Sequence, residues 1–145
     1  MSKEHGILLD MEIAGESFES AGEASSKLKR VLQQIGVASE VIRRIAISAY
    51  EAEMNVIIHA TRGHMSALIY PDRTELTIKD EGPGIADIEL ALQEGYSTAP
   101  DYIRELGFGA GMGLPNMVRC ADKFHIDSIV GKGTTIQIVI FHKKE

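Results

Sequence analysis

The feature that most constrains this chain is a run of glycines at alternate positions just before a segment with helical periodicity. The run closes a stretch of about nineteen residues, 95–113, without helix or strand pattern, and a loop that long is usually functional or mobile. Glycine-rich backbone that leads into a helix offers free N–H groups and the positive end of the helix dipole. We therefore predict an anion-binding loop rather than a flexible linker, which would contain more serine and proline. Its residues are Gly107, Gly109, Gly111, Met112, Gly113 and Leu114.

Two common nucleotide-binding motifs do not match these glycines. The dinucleotide pattern G-x-G-x-x-G fails because, counted from Gly109, its last position holds Leu114. The phosphate-loop pattern G-x-x-x-x-G-K-[ST] fails because, with Gly131 and Lys132 as its G-K pair, its first position holds Ile126. The predicted anion site must therefore be of another kind.

Composition favours one globular domain and excludes several function classes. The 145 residues carry 15 basic and 21 acidic side chains, and the net charge of −6 argues against nucleic acid or anionic membrane as a partner. An anionic ligand stays compatible, since backbone N–H groups bind phosphate without net positive charge. The single Cys120 excludes an internal disulfide and a multi-cysteine zinc site. Because the sequence lacks a signal-peptide pattern and a long apolar run, we expect a cytoplasmic protein of one domain, residues 1–145.

The order of the predicted elements indicates an α+β fold. Strands follow one another directly and helices do not alternate strictly with them, which favours a two-layer sandwich over a doubly wound parallel sheet. We expect a mixed, mostly antiparallel sheet with helices on one face. The predicted strands are 7–13, 65–70, 75–79, 124–130 and 134–141, and the predicted helices are 19–35, 40–60, 88–93 and 114–124.

The second predicted helix carries a narrow polar strip between two apolar arcs. Glu51, Asn55 and His59 are spaced four residues apart, so they stack along one line of the helix. A solvated stripe is the simpler interpretation, since acidic residues mostly lie at surfaces. The alternative is a pocket in which Glu51 acts as a general base and the amide oxygen of Asn55 ligates Mg²⁺. Glu53 falls near the core-facing arc, and the sequence does not explain it.

Two further glycine turns follow predicted strands. In the first, Asp80 could accept a hydrogen bond from an exocyclic amine such as that of adenine, while the glycines let a ring approach. The second, Gly131-Lys-Gly-Thr134, is typical of a hairpin turn, and Thr134 could also reach a ligand. Each turn alone is equally explained as an ordinary chain reversal. The residues assigned to the first turn are Asp80, Gly82, Gly84 and Ile85.

In this order, the polar strip and the glycine turns resemble the motifs of the GHKL, or histidine-kinase-like, ATPase domain. DNA gyrase, heat-shock chaperones, sensor histidine kinases and mismatch-repair proteins share that domain, and the resemblance implies its Bergerat-type ATP-binding fold. Residues 51–55 resemble its N box, residues 80–84 its G1 box, residues 107–113 its lid and G2 box, and residues 131–134 its last box.

Within that family the chain is most similar to bacterial anti-sigma-factor serine/threonine kinases and to the switch kinases of partner-switching pathways. The resemblance implies ATP and Mg²⁺ as cofactors, and transfer of the γ-phosphate of ATP to a serine or threonine of a small antagonist protein. It also suggests a sigma factor or downstream regulator as a second partner, and a homodimer. Two alternatives stay open: a nucleotide-gated protein-binding module with little or no kinase activity, and a slow ATPase.

The resemblance also implies a role for each matching residue. Glu51 would be the base that activates the attacking hydroxyl, and Asn55 would coordinate the Mg²⁺ that bridges the phosphates. Asp80 would bind the adenine amino group, with Thr134 supporting it through a water. The remaining assignments are Gly109, Gly111 and Gly113 as a phosphate cradle, and His59 and Arg104 as candidate phosphate contacts, with a plain surface histidine as the alternative for His59.

Overall fold

Five strands and four α-helices make up the described part of the chain. The computed structural model describes residues 6–15, 17–93 and 113–143. None of the helices within these ranges is long and apolar enough to cross a membrane. In chain order the elements are β1 (Ile7–Ala14), a turn of 3₁₀ helix (Phe18–Ser20), α1 (Glu23–Gln34), α2 (Ser39–His59), β2 (Arg62–Ile69), β3 (Arg73–Glu81), α3 (Ile88–Ala91), α4 (Gly113–Cys120), β4 (Lys123–Ile129) and β5 (Gly133–Phe141).

The strands form one sheet in the order β1-β2-β3-β5-β4. Every pairing between the described strands is antiparallel. One row of directly opposed residues crosses the whole sheet on the core face: Leu9, Ala67, Leu76, Ile138 and Phe124. The α+β class predicted from the sequence is therefore confirmed, and all of the described strand pairs are antiparallel.

The helices cover a single face of this sheet. Helix α2 contacts β1, β2, β3 and β5, with α1 packed on one of its sides and α4 on another. Full burial of one such aliphatic side chain contributes about 1.5–3 kcal/mol. The fully buried large side chains come from both layers: Leu28, Leu32, Ile45, Val56, Ile57, Met65, Leu76, Ile78, Met117, Ile138 and Ile140.

The observed elements differ from the predicted ones mainly at their ends. The predicted helix 19–35 is divided, because Gly22 adopts a φ of 93° between the 3₁₀ turn and α1. Strand β2 begins at Arg62 rather than at residue 65, since Arg62 pairs with Ala14 on one side and with Glu81 on the other. Strand pairing, which a local pattern does not reveal, thus places Asp80 inside β3 instead of in a turn after it.

The start of α1 is held by the side chain that the sequence left unexplained, Glu53 of α2. Its carboxylate is buried and accepts hydrogen bonds from the backbone N–H groups of Gly22, Ala24 and Ser25 at 3.1, 3.2 and 3.1 Å. Since the N-cap residue Gly22 has no side chain, Glu53 of the neighbouring helix α2 takes over the capping role. A carboxylate at this end of a helix also interacts favourably with the helix dipole.

Removal of this cap should destabilise the protein. In Glu53→Ala the three N–H groups lose their acceptor, so we expect the free energy of unfolding to fall by about 3 kcal/mol. Glu53→Gln should cost less than Glu53→Ala, because its amide oxygen still accepts on one side, although its amide nitrogen leaves the N–H on the other side without an acceptor. Urea unfolding followed by circular dichroism measures both changes. The matched control, Glu40→Ala, alters an exposed glutamate of the same helix, and equal midpoints for the two alanine variants would refute the capping role.

Candidate functional site

Helices α2 and α4 bring the predicted catalytic pair together with the end of the glycine loop. A Cβ placed on Gly113, the first residue of α4, would lie 3.4 Å from Asn55 Oδ1 and 3.5 Å from Glu51 Oε1. Both side chains are half-buried, whereas His59 at the end of α2 is exposed. The polar strip is therefore not one uniform solvated stripe, because its first two members face the N-terminus of a neighbouring helix.

A third side chain, Asn116 of α4, joins this group. Its Nδ2 donates a hydrogen bond of 3.1 Å to Glu51 Oε2. On the other side of the amide, Arg119 Nη2 donates to Asn116 Oδ1 at 2.7 Å. Sequence reasoning missed Asn116, since a lone asparagine outside a recognised motif gives no signal before α4 is seen beside α2.

Helix α4 is fixed to α2 at its other end as well. Arg44 of α2 donates from Nε and Nη2 to the carbonyl oxygen of Cys120 at 3.0 and 2.7 Å. The same guanidinium contacts Asp122 Oδ2 at 3.1 Å, and that oxygen accepts the N–H of Phe141 at 2.7 Å. A cation at a helix C-terminus is favoured by the helix dipole. These contacts fix the C-terminal end of α4 against α2.

The second predicted region lies where β3 meets β5. Asp80 Oδ1 accepts the backbone N–H of Thr134 at 3.1 Å. A Cβ on Gly133 would clash with the carbonyl oxygen of Asp80, so only glycine allows the strands to approach this closely. Burial raises the pKa of Asp80, and the hydrogen bond from Thr134 offsets part of that rise. A partly desolvated carboxylate with free acceptor capacity is suited to bind an amine N–H.

Ser128 of β4 connects the strands and the turn of this region by hydrogen bonds. Sequence reasoning missed this residue. Its Oγ accepts the N–H of Ile85 at 2.7 Å and lies 2.8 Å from Thr134 Oγ1. The hydroxyl also donates to the carbonyl oxygen of Gly133 at 3.2 Å. One serine thus links the first glycine turn to β5 beside Asp80. The missed signal was the alternation of β4, which puts Ser128 on the inner face.

The glycines of the first turn make room for the protein's own backbone. With a φ of 78°, Gly84 would bring a Cβ within 2.5 Å of the carbonyl oxygen of Ile129. A Cβ on Gly82 would lie 3.1 Å from the Cα of Ala60. The close packing of the protein's own backbone therefore explains glycine at both positions. Their approach to a nucleotide ring stays a prediction.

The other predicted contacts are placed as follows. The side chain of Leu114 is buried in the core, so only its backbone could face a phosphate. Partial desolvation lowers the pKa of His59 below its usual value, which favours the neutral imidazole. Some predicted residues lie outside the described part of the chain, namely Arg104, Gly107, Gly109, Gly111 and Met112.

Comparison with protein families decides what kind of domain this is. A family model described as the histidine kinase-like ATPase domain matches residues 16–140. The chain belongs to this family. The match includes both the Glu51–Asn55 region and the Asp80–Thr134 region, so the two ends of the candidate site lie inside one family domain.

Individual relatives of this histidine kinase-like ATPase domain carry regulatory names. Serine/threonine-protein kinase RsbT of Bacillus subtilis (strain 168) is 30% identical over 115 residues, which cover 77% of this chain and 80% of the relative. The anti-sigma F factors of Geobacillus sp. (strain WCH70) and Heyndrickxia coagulans are 36% and 37% identical, over 70% of this chain. These matches span 63% of each anti-sigma F factor, a little under two thirds of its length.

The donor set of this ATPase domain fits a magnesium ion held mainly by its nucleotide. Among the residues that the structure describes, no group of three histidine, cysteine, aspartate or glutamate side chains could hold a metal by itself. Mg²⁺ typically keeps several waters and binds one or two protein oxygens together with substrate phosphates. The Asn55 amide oxygen beside the start of α4 could serve as one such ligand.

The Asp80→Asn substitution should increase the stability of this domain and abolish its binding of ATP. The amide oxygen can still accept from Thr134, but the desolvated charge is gone, so we expect the variant to unfold at a higher urea concentration than wild type at neutral pH. We also expect isothermal titration calorimetry to show no ATP binding. Asp127→Asn, on the exposed outer face of β4, is the matched control and should bind ATP as wild type does.

The stability difference should depend on pH in one direction. Since burial raises the folded-state pKa of Asp80 above the unfolded value of about 3.9, ionisation makes the wild type less stable as pH rises between these two values. The advantage of Asp80→Asn should grow through that window and stay constant above it. An advantage that shrinks with rising pH would contradict the assigned cause.

Proposed function

We propose that this chain is an ATP-dependent protein kinase that transfers the γ-phosphate of Mg-ATP to a serine or threonine of a small antagonist protein in a partner-switching pathway. Its activity would be cytoplasmic and regulatory, with a sigma factor or a downstream regulator as a second partner. Support comes from family membership and from relatives named serine/threonine-protein kinase and anti-sigma F factor.

The observation that carries the proposal is the meeting of Glu51, Asn55 and Gly113. A helix N-terminus reached through a glycine-rich segment is a favourable site for phosphates. A carboxylate oxygen 3.5 Å and an amide oxygen 3.4 Å from the Cβ position of Gly113 lie beside that site. Such a group of side chains suits phosphoryl transfer. The reaction depends on positioning and on charge stabilisation more than on covalent chemistry by the protein.

The chemical step then assigns one task to each group. The acceptor hydroxyl gives its proton to Glu51 while its oxygen forms a bond to the γ-phosphorus. The bond between that phosphorus and the β–γ bridging oxygen breaks, and ADP leaves with the electron pair. Backbone N–H groups at the start of α4 hold the phosphates through the transfer. Mg²⁺, when bound, neutralises developing charge on the phosphate oxygens.

The other end of the site would select the nucleotide. Asp80 would accept the exocyclic N–H of adenine with the oxygen capacity that Thr134 leaves free. Ser128 holds the turn at Ile85 against β5, so the carboxylate and the turn keep one relative position. A guanine would present a carbonyl oxygen instead of the amine, and two acceptors facing each other are unfavourable.

The assay combines purified chain, Mg-ATP labelled at the γ-position, and a purified small anti-sigma-factor antagonist protein as the acceptor. We expect labelled antagonist with wild type and a loss of about 10²–10⁴-fold in rate with Glu51→Gln, the range of a general base. ATP binding, measured by calorimetry, should survive that substitution. Glu40→Gln, an exposed glutamate on the same helix, is the matched control and should retain the wild-type rate.

Other results would select the alternatives. Antagonist binding that requires ATP without any phosphorylated product would indicate a nucleotide-gated binding module. Phosphate release at the same rate with and without antagonist would indicate an ATPase. A Glu51→Gln variant that phosphorylates at the wild-type rate would refute Glu51 as the base, even if the kinase activity itself is present.

A further inference from the structure

A chain of two hydrogen bonds leads from the surface of α4 to the candidate base. Arg119 donates to the amide oxygen of Asn116 at 2.7 Å, and the amide nitrogen of Asn116 donates to Glu51 Oε2 at 3.1 Å. Arg119 is exposed, whereas Asn116 and Glu51 are half-buried. The motifs and the comparisons assign no role to either residue of α4.

The spacing along α4 produces this arrangement. Gly113, Asn116 and Arg119 are three residues apart, so they lie on neighbouring turns of one side of the helix. Gly113 stands next to Glu51 Oε1, while Asn116 binds Oε2. The two carboxylate oxygens are thereby distinguished, and Oε1 is the one that faces the predicted phosphate site.

The direction of the hydrogen bonds matters as much as their presence. An asparagine amide has a donor end and an acceptor end, and the wrong end would set two oxygens against each other at Glu51. Because Arg119 can only donate, it selects the orientation in which the amide oxygen faces Arg119 and the amide nitrogen faces Glu51. The guanidinium therefore specifies the contact without itself touching the carboxylate.

We propose that Asn116, oriented by Arg119, is a positioning residue that holds Oε2 of Glu51 and leaves Oε1 to take the proton of the acceptor hydroxyl. This inference rests on the proposed function, since it needs Glu51 as the base. Asn116 exchanges no proton in the step, and its hydrogen bond to Oε2 persists while the O–H proton moves to Oε1. A base must lie within about 2.6–3.2 Å of the atom it deprotonates, so a carboxylate free to rotate is productive less often.

The contact also links the base to the helix that begins at the glycine loop. Glu51 lies on α2 and Asn116 on α4, one turn after Gly113. A shift of α4 would therefore move the partner of the base together with the predicted phosphate site. The Glu51 carboxylate and the predicted phosphate site at the start of α4 would therefore keep their relative positions.

The first test compares turnover with nucleotide binding. Asn116→Ala and the isosteric Asn116→Asp both remove the donor, and we expect kcat for antagonist phosphorylation to fall about 10- to 100-fold, as a misplaced catalytic group costs. The KM for ATP and the calorimetric Kd for ATP should stay within about twofold. Arg119→Ala should give a smaller loss of kcat of the same kind. Val118→Ala, an exposed residue of the same helix, is the control and should match wild type.

The second test asks whether Asn116 acts through Glu51. In a Glu51→Gln background, Asn116→Ala should cause no further loss, because the base that it positions is absent. Independently of activity, the side-chain amide signals of Asn116 in ¹⁵N-HSQC spectra should shift on Glu51→Ala and stay unchanged on Glu40→Ala. Unshifted amide signals, or an equal loss of kcat in both backgrounds, would overturn the positioning role.

The outcomes also separate this inference from the proposed function. If wild type forms no phosphorylated antagonist, the proposed function is refuted. If Glu51→Gln is fully active, the assignment of Glu51 as the base is refuted. If those results are as expected while Asn116→Ala has the kcat of wild type, only the role of Asn116 is refuted. An increased Kd for ATP in Asn116→Ala would instead show that Asn116 supports the nucleotide site.

Discussion

Helix α2 has neighbours on three sides, and this constraint governs the rest of the structure. It lies on the sheet and packs between α1 and α4, so nearly every face of the helix must match a partner. Two glutamates two residues apart therefore point to different helices. Glu53 is buried and caps α1 with three hydrogen bonds, while Glu51 meets α4 and Asn116. A carboxylate that enters such a layer must find donors, because burial without them is costly.

The two ends of the candidate site are built by different means. At the Asp80 end, neighbouring strands β3, β4 and β5 place Asp80, Thr134 and Ser128 within hydrogen-bond distance, so the ladder itself fixes the geometry. At the Glu51 end, the geometry depends on where α4 lies against α2, and the Arg44–Cys120 contact holds that position. A helix end can shift more readily than a paired strand.

Much of the fold could be predicted from the sequence because its patterns are local. Alternating strands, two long amphipathic helices and glycine turns were enough for the α+β class, and the family resemblance led to the histidine kinase-like ATPase domain that the comparisons confirm. The ends of the elements were predicted less accurately. Strand β2, for example, begins at Arg62 because it pairs there with both β1 and β3. Asn116 gave no signal, because a lone polar residue carries no pattern, whereas the alternation of β4 places Ser128 on the inner face but does not reveal its partners.

The sequence by itself determined the element types, the Glu51–Asn55 spacing and the glycine turns, since each depends on residues close together in the chain. Tertiary structure alone decided which polar groups meet. It brought Glu53 to the start of α1, Ser128 to Ile85 and Asn116 to Glu51, pairs separated by 28 to 65 positions. Hydrogen bonds are short and directional, so they follow from the packing of helices and strands in space and not from distance along the chain.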